Sequence, residues 1–163
     1  MSNYKNLEIE FIARTLKILN QYNSILYKID EHERYESTLL VNTLLGLIIF
    51  PKEKTISYLP KNRLNQELLN EMGIFNSKIN DDLKSLKDLI IEIRHSVAHF
   101  NIEFKSDNEN FTIDKIIFKD DVGNPPNVIA EFYPSELYNF IQYYGNWIIK
   151  NIELHQHEKK NSC

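Results

Sequence analysis

The sequence predicts an α+β domain that is mainly α, a helical bundle with a small antiparallel β-meander inserted before the C-terminal helix. Three observations predict it. Apolar residues recur every three or four positions through most of the first hundred residues. The period drops to two between Asn101 and Tyr133, and the helical period returns from Ser135.

From Asn6 to about Ile29, Phe11, Ile12, Leu16, Leu19, Tyr22, Leu26 and Ile29 form one stripe, which predicts a single long amphipathic helix. The polar stretch Asp30 to Arg34 links it to a second helix starting near Glu36, apolar nearly all round and stopped by Pro51, which belongs in the core. Pro60 then breaks the chain, and Asn62 to Met72 can make a short helix closed by Gly73. A stronger helix is expected from about Asp81 to His99, with Asp81 and Asp82 in its first turn and Leu83, Leu86, Ile90, Ile93 and Val97 as its apolar stripe.

Strands are expected at Asn101 to Lys105, Phe111 to Phe118 and Val128 to Tyr133, with turns at Asp107-Asn108 and Gly123-Asn124-Pro125. From Ser135, Leu137, Phe140, Ile141, Tyr144, Trp147, Ile148 and Ile152 mark a last helix packing back on the bundle, followed by a frayed tail from His155 to Cys163. With no internal repeat or low-complexity segment, residues 1–163 read as one domain.

Composition narrows the function classes. The single cysteine is Cys163, so no disulfide forms within the chain and no thiolate zinc site is indicated, which points to a reducing, cytoplasmic setting. Lys5, Glu8, Glu10, Arg14 and Lys17 interrupt the first twenty residues, unlike a signal peptide. The most apolar run, Leu39 to Phe50, is shorter than the ~20 residues that cross a bilayer, and no membrane association is expected. A net charge of −4 and a pI near 5.7 give no global basic field, so any RNA contact must be local.

The helix ending at His99 carries the candidate chemistry. At about 100° per residue, Arg94 falls among Ile90, Ile93, Val97 and Ala98, beside the stripe that faces the core. A guanidinium cannot lose its proton there, so it needs an anionic or carbonyl partner, a cleft or another chain. Glu92, His95 and His99 share another side of the helix, a workable metal half-site, but no second Glu-x-x-His or His-x-x-x-His pair supplies the remaining ligands. No metal or cofactor is therefore expected. Arg and His also suit the last turn of any helix, where they complement its carbonyl end.

The string Arg94-His95-Ser96-Val97-Ala98-His99 resembles the signature of the HEPN superfamily, in which an arginine is followed by a polar residue and then, after four to six intervening positions, by a histidine. Here the spacing is four. IRHSVAHFNIEF over Ile93 to Phe104 and LLGLIIFPKEK over Leu44 to Lys54 are similar to the corresponding stretches of small toxin-type, abortive-infection HEPN ribonucleases. The resemblance covers the two central helices and the following strand.

It implies a metal-independent endoribonuclease working as a homodimer, with the motif helices of two subunits lining one cleft. It further implies membership of a bacterial toxin–antitoxin or phage-defence system, with an antitoxin protein as partner and RNA as substrate. By position, Arg94 and His99 are then the catalytic pair and His95 the auxiliary polar residue. A histidine can move a proton to or from the ribose 2′-hydroxyl or the leaving oxygen, and a planar guanidinium fits phosphoryl oxygens. Attack by the 2′-hydroxyl leaves a cyclic phosphate, so only RNA serves.

On a straight helix Arg94 and His99 differ by about 140° in azimuth, so either the helix deforms before Asn101 or the site is assembled from two chains. The alternative function is a non-catalytic HEPN domain that binds RNA, nucleotide or a partner protein through Arg94.

Three further features have simpler readings. Asn42 in the apolar second helix reads as a buried residue bonded to neighbouring backbone. Tyr138, Phe140, Tyr143, Tyr144 and Trp147 have the helical spacing of core packing. Lys52, Lys54, Lys61 and Arg63 form the densest basic stretch, in keeping with a solvated loop or a local steering patch for RNA.

Overall fold

Leu7–Ile25 forms the first helix, α1, because Asn6 caps it, its side chain accepting from the Ile9 amide, while Ile12, Leu16 and Leu19 bury one face. The computed structural model describes residues 4–49, 63–109, 112–123 and 125–161. Helix α1 ends four residues before the expected Ile29. Leu26–Lys28 tightens into a 3-10 turn, and none of these three residues is fully buried, so little packing holds them in the wider α geometry.

Helix α2 (Glu36–Ile49) buries Leu40, Leu44, Leu47 and Ile48 against α1 and the last helix. Asn42 departs from the burial expected of it: it is exposed, and the polar side chains that α2 does bury are Ser37 and Thr43. Phe50, Pro51, Lys52, Lys54, Pro60, Lys61 and Asn62 lie outside the described residues. A short helix, α3 (Gln66–Glu71), is capped by Asn65 and followed by Gly73, whose φ of 71° is the left-handed value that favours glycine.

The helix that carries the motif, α4, spans Leu86–Ala98 and starts five residues later than Asp81. Ser85 is its N-cap: the Asp88 amide donates to Ser85 Oγ, and Asp88 Oδ2 accepts from the Ser85 amide and hydroxyl. This reciprocal box satisfies the orphan amides better than the Asp81-Asp82 pair, which forms a turn with Asn80 instead. Leu86, Leu89, Ile90, Ile93 and Val97 are buried along one face.

Among the described residues the sheet has four antiparallel strands in the order β1-β4-β3-β2, one more than the meander read from the sequence. They are β1 (Lys78–Ile79), β2 (Ile102–Lys105), β3 (Lys115–Lys119) and β4 (Val128–Phe132). A two-residue strand such as β1 has too little alternation to stand out, and it exists only through its pairing with β4 at Lys78–Glu131 and Ile79–Ala130. β3 begins at Lys115, later than the expected Phe111, which lies outside the described residues. Asp114 closes the β2–β3 connection instead, accepting from the Asp107 amide and from Asn108 Nδ2. On the outer face, Lys115 pairs with Glu131 and Lys119 with Glu103.

Helix α5 runs Pro134–Asn161 and opens on a proline, whose fixed φ suits the first helical position. It continues past His155, where fraying is expected, as far as Asn161; Asn6 Nδ2 donates to Gln156 Oε1 at 3.1 Å, tying this end to the start of α1. Glu136 near its start is buried and accepts from the Asn76 amide and side chain and from the Ser77 amide, anchoring the loop before β1. The helices and the inner face of the sheet share one core. An aromatic ladder crosses it, Phe118 edge-on to Phe132, Phe132 stacked on Phe140, and Phe140 stacked on Tyr144. Phe140 and Tyr144 are thus core residues, and Tyr138, Tyr143 and Trp147 pack partly buried against the core. Among the described residues, no helix is long and apolar enough to cross a membrane.

Candidate functional site

The last turn of α4 sets the motif out on three different surroundings. Arg94 is half-buried, flanked along the helix by the buried Ile93 and Val97. Its charge reaches the Tyr144 phenol of α5: burial pushes that phenol up, and the Arg94 guanidinium pulls the opposite way. Among the described residues no carboxylate or carbonyl pairs with the guanidinium, so a charge beside the core stripe has no anionic partner there. His95 is exposed, and its carbonyl accepts from the His99 amide at 3.0 Å.

His99 is the C-cap of α4, already out of helical geometry at φ −95° and ψ 3°. Its imidazole is 62% exposed, with Nδ1 at 3.7 Å from Oδ2 of Asp121 in the β3–β4 connection. His99 therefore faces the hairpin, whereas Arg94 lies on a different side of the helix, and no hydrogen bond or ion pair joins them among the described residues. The rotation of about 140° expected from helix geometry persists almost to the end of the helix. Glu92, His95 and His99 do not converge with other donors, and the described residues contain no group of three His, Cys, Asp or Glu side chains able to hold a metal ion.

Immediately after His99 the chain reverses tightly. The Phe100 amide donates to the Val97 carbonyl at 3.2 Å and the Asn101 amide to the Ser96 carbonyl at 2.8 Å, the paired bonds of a Schellman motif. The left-handed position of that motif, usually glycine, is Phe100 at φ 57°. Its ring is 82% exposed, so no burial offsets the strain. Replacing Phe100 with glycine relieves about 1–2 kcal/mol of left-handed strain, partly offset by glycine's larger unfolded-state entropy. The melting temperature of Phe100→Gly is expected to rise by about 1–3 °C, measured by circular dichroism. A lower melting temperature means the Phe100 ring contributes contacts that outweigh its strain.

Ser96 holds this reversal in place, and sequence reasoning passed over it. It is fully buried; its hydroxyl donates to the Asn101 carbonyl at 2.9 Å and accepts from the Lys119 amide at 3.2 Å. The Lys119 amide also reaches the Asn101 carbonyl at 3.0 Å, so the end of α4 is stitched to β3. The signal that could have found it was a serine between His95 and Val97 beside the apolar stripe, where a hydroxyl needs a partner. Asp121 carried no local signal, because two strands and the turn between them separate it from the motif it approaches. Arg63 of the basic stretch is exposed and borders a cleft that Glu67 and Glu71 also line.

Comparison with known proteins adds a family. A family model described as HEPN pEK499 p136 matches residues 1–155. No curated protein and no solved structure matches the chain significantly.

Proposed function

This chain belongs to the HEPN pEK499 p136 family, and on that premise we propose that it is a metal-independent endoribonuclease. Arg94 and His99 form its catalytic pair, with His95 as an auxiliary polar residue, and the site lies in a cleft shared by two copies of the chain. The observation that carries this reading is the half-buried Arg94, a permanent cation with no anionic partner among the described residues, on the same last turn as an exposed histidine. A permanent cation without a counter-charge beside a core is retained at a cost, and an RNA phosphate would supply the missing partner.

In this mechanism His99 takes the proton of a ribose 2′-hydroxyl and the 2′-oxygen attacks the adjacent phosphorus. The bond to the 5′-oxygen breaks, that oxygen is reprotonated, and a 2′,3′-cyclic phosphate remains on the upstream fragment. Arg94 binds the non-bridging oxygens and stabilises the charge that grows on them. Because the two side chains diverge within one chain, Arg94 of one copy works with His99 of the other. Family kinship also supports a place in a bacterial toxin–antitoxin or phage-defence system, with a partner protein that holds the activity in check.

A second reading, a non-catalytic HEPN domain that binds RNA, nucleotide or protein through Arg94, is favoured by the divergence of Arg94 and His99. Incubation with RNA in the presence of a chelator separates the two. Cleavage that leaves cyclic-phosphate ends and is lost in Arg94→Ala and His99→Ala supports the nuclease. RNA binding without cleavage, weakened by Arg94→Ala alone, supports the binding domain.

A further inference from the structure

We propose that Asp121 is a positioning residue for His99, holding the Nδ1 edge of the imidazole so that Nε2 is presented as the proton acceptor. The role rests on His99 acting on RNA as the proton acceptor of a nuclease, but the pairing itself has an observable that needs no activity.

The carboxylate is placed by the hairpin and aimed by a second residue. Asp120 builds the turn after β3: its Oδ1 accepts from the Val122 and Asn127 amides at 3.0 and 3.1 Å, and its Oδ2 from Asn127 Nδ2 at 3.2 Å. Asp121, next along, turns instead to the end of α4, where Asn101 Nδ2 donates to its Oδ1. That leaves Oδ2 facing His99 Nδ1 at 3.7 Å. Asn101 is in turn fixed through its own backbone, bonded to buried Ser96 and to Lys119. A chain of contacts thus runs from a fully buried serine through Asn101 and Asp121 to an exposed imidazole.

Stability does not account for this arrangement. Asp121 and His99 are 58% and 62% exposed, and ion pairs at such positions contribute little to folding. An anion at Nδ1 does have a chemical consequence. It favours the neutral tautomer with the proton on Nδ1, leaves the lone pair on Nε2, and stabilises the imidazolium formed when Nε2 takes a proton. Asp121 itself takes no proton. The 3.7 Å separation is longer than a hydrogen bond, as catalytic contacts often are before substrate excludes water.

The test is nitrogen NMR of the full-length protein labelled at histidine, at about pH 8.5, where imidazoles of ordinary pKa are neutral. The His99 signals are identified by their absence in His99→Gln. Wild-type protein is expected to show mainly the Nδ1–H form at His99, and Asp121→Asn to revert to the Nε2–H form preferred by free imidazole. In RNA cleavage, Asp121→Asn is expected to lower kcat about ten- to a hundredfold, less than the roughly 10⁴-fold loss at a buried orienting aspartate because Asp121 is exposed, with melting temperature unchanged. KM is expected to stay within about twofold, since substrate contacts are untouched. Asp121→Glu restores part of the rate. A tautomer ratio that does not respond to Asp121→Asn overturns the pairing, and an unchanged kcat overturns the role. A responding tautomer in a protein that cuts no RNA supports the pairing and rejects the nuclease reading.

Discussion

Arg94→Ala is expected to slow RNA cleavage by about 10²- to 10³-fold, the range for removing one preorganised contact to transition-state charge. His99→Ala is expected to slow it by about 10²- to 10⁴-fold, the range for a general acid or base. Neither variant should lower the melting temperature much. Arg94 leaves no partner unpaired among the described residues, and the His99 side chain is mostly exposed. The sharper experiment mixes the two inactive variants after unfolding and refolding them together. If each site takes Arg94 from one copy and His99 from the other, every mixed dimer has one intact site and one doubly substituted site. Random reassortment then restores about a quarter of wild-type activity. Sites contained within single chains stay inactive in every combination. Full activity from a strictly monomeric wild-type protein would equally rule out the shared cleft.

The largest expected effect on stability lies elsewhere, at Glu136. Burial pushes its carboxyl up, but hydrogen bonds from Ser77 and Asn76 outweigh burial and hold it at about 2, against an ordinary value of 4.5. A folded pKa below the unfolded one means that the contribution is present above about pH 4.5 and is lost as pH falls from there toward 2. Integrated over that window, the linkage is on the order of 3 kcal/mol at neutral pH. Glu136→Gln keeps the shape but loses the charge and one acceptor. Its melting temperature at pH 7 is expected to drop by about 6–12 °C, at 2–4 °C per kcal/mol for a chain of this size. Denaturant titrations should also show a flatter acid limb than wild type between about pH 4.5 and 2. Equal slopes in the two proteins would show that Glu136 is not the group responsible.

Most of the helical architecture was legible in the chain, because an amphipathic stripe has to recur at the helical period for a helix to bury one face. The motif helix, the core role of Phe140 and Tyr144 and the switch to strands after Asn101 all follow from periodicity. Errors gathered where local signals compete. Asp81 and Asp82 are good first-turn residues, but Ser85 with Asp88 completes a reciprocal cap, and the helix starts there. The stripe from Asn6 runs on to Ile29, yet without burial the last residues tighten into a 3-10 turn. Asn42 sits in an apolar helix but on its exposed side, away from the face on which Leu40, Leu44, Leu47 and Ile48 are buried.

The sequence by itself determined the bundle with its inserted sheet, the anomalous position of Arg94 on a core-facing helix, and a histidine poorly aimed at it. These depend on spacing within one element, which the order of residues fixes. Tertiary structure decided what surrounds the motif: a Tyr144 phenol that feels the Arg94 charge, Ser96 stitched to β3, and Asp121 beside His99. It also decided that the chain reverses through a strained Phe100 immediately after His99. The reason is that such contacts join residues far apart in the chain, and they come together only once the strands have paired and the sheet has packed on α4. No local pattern of charge or hydrophobicity records that meeting.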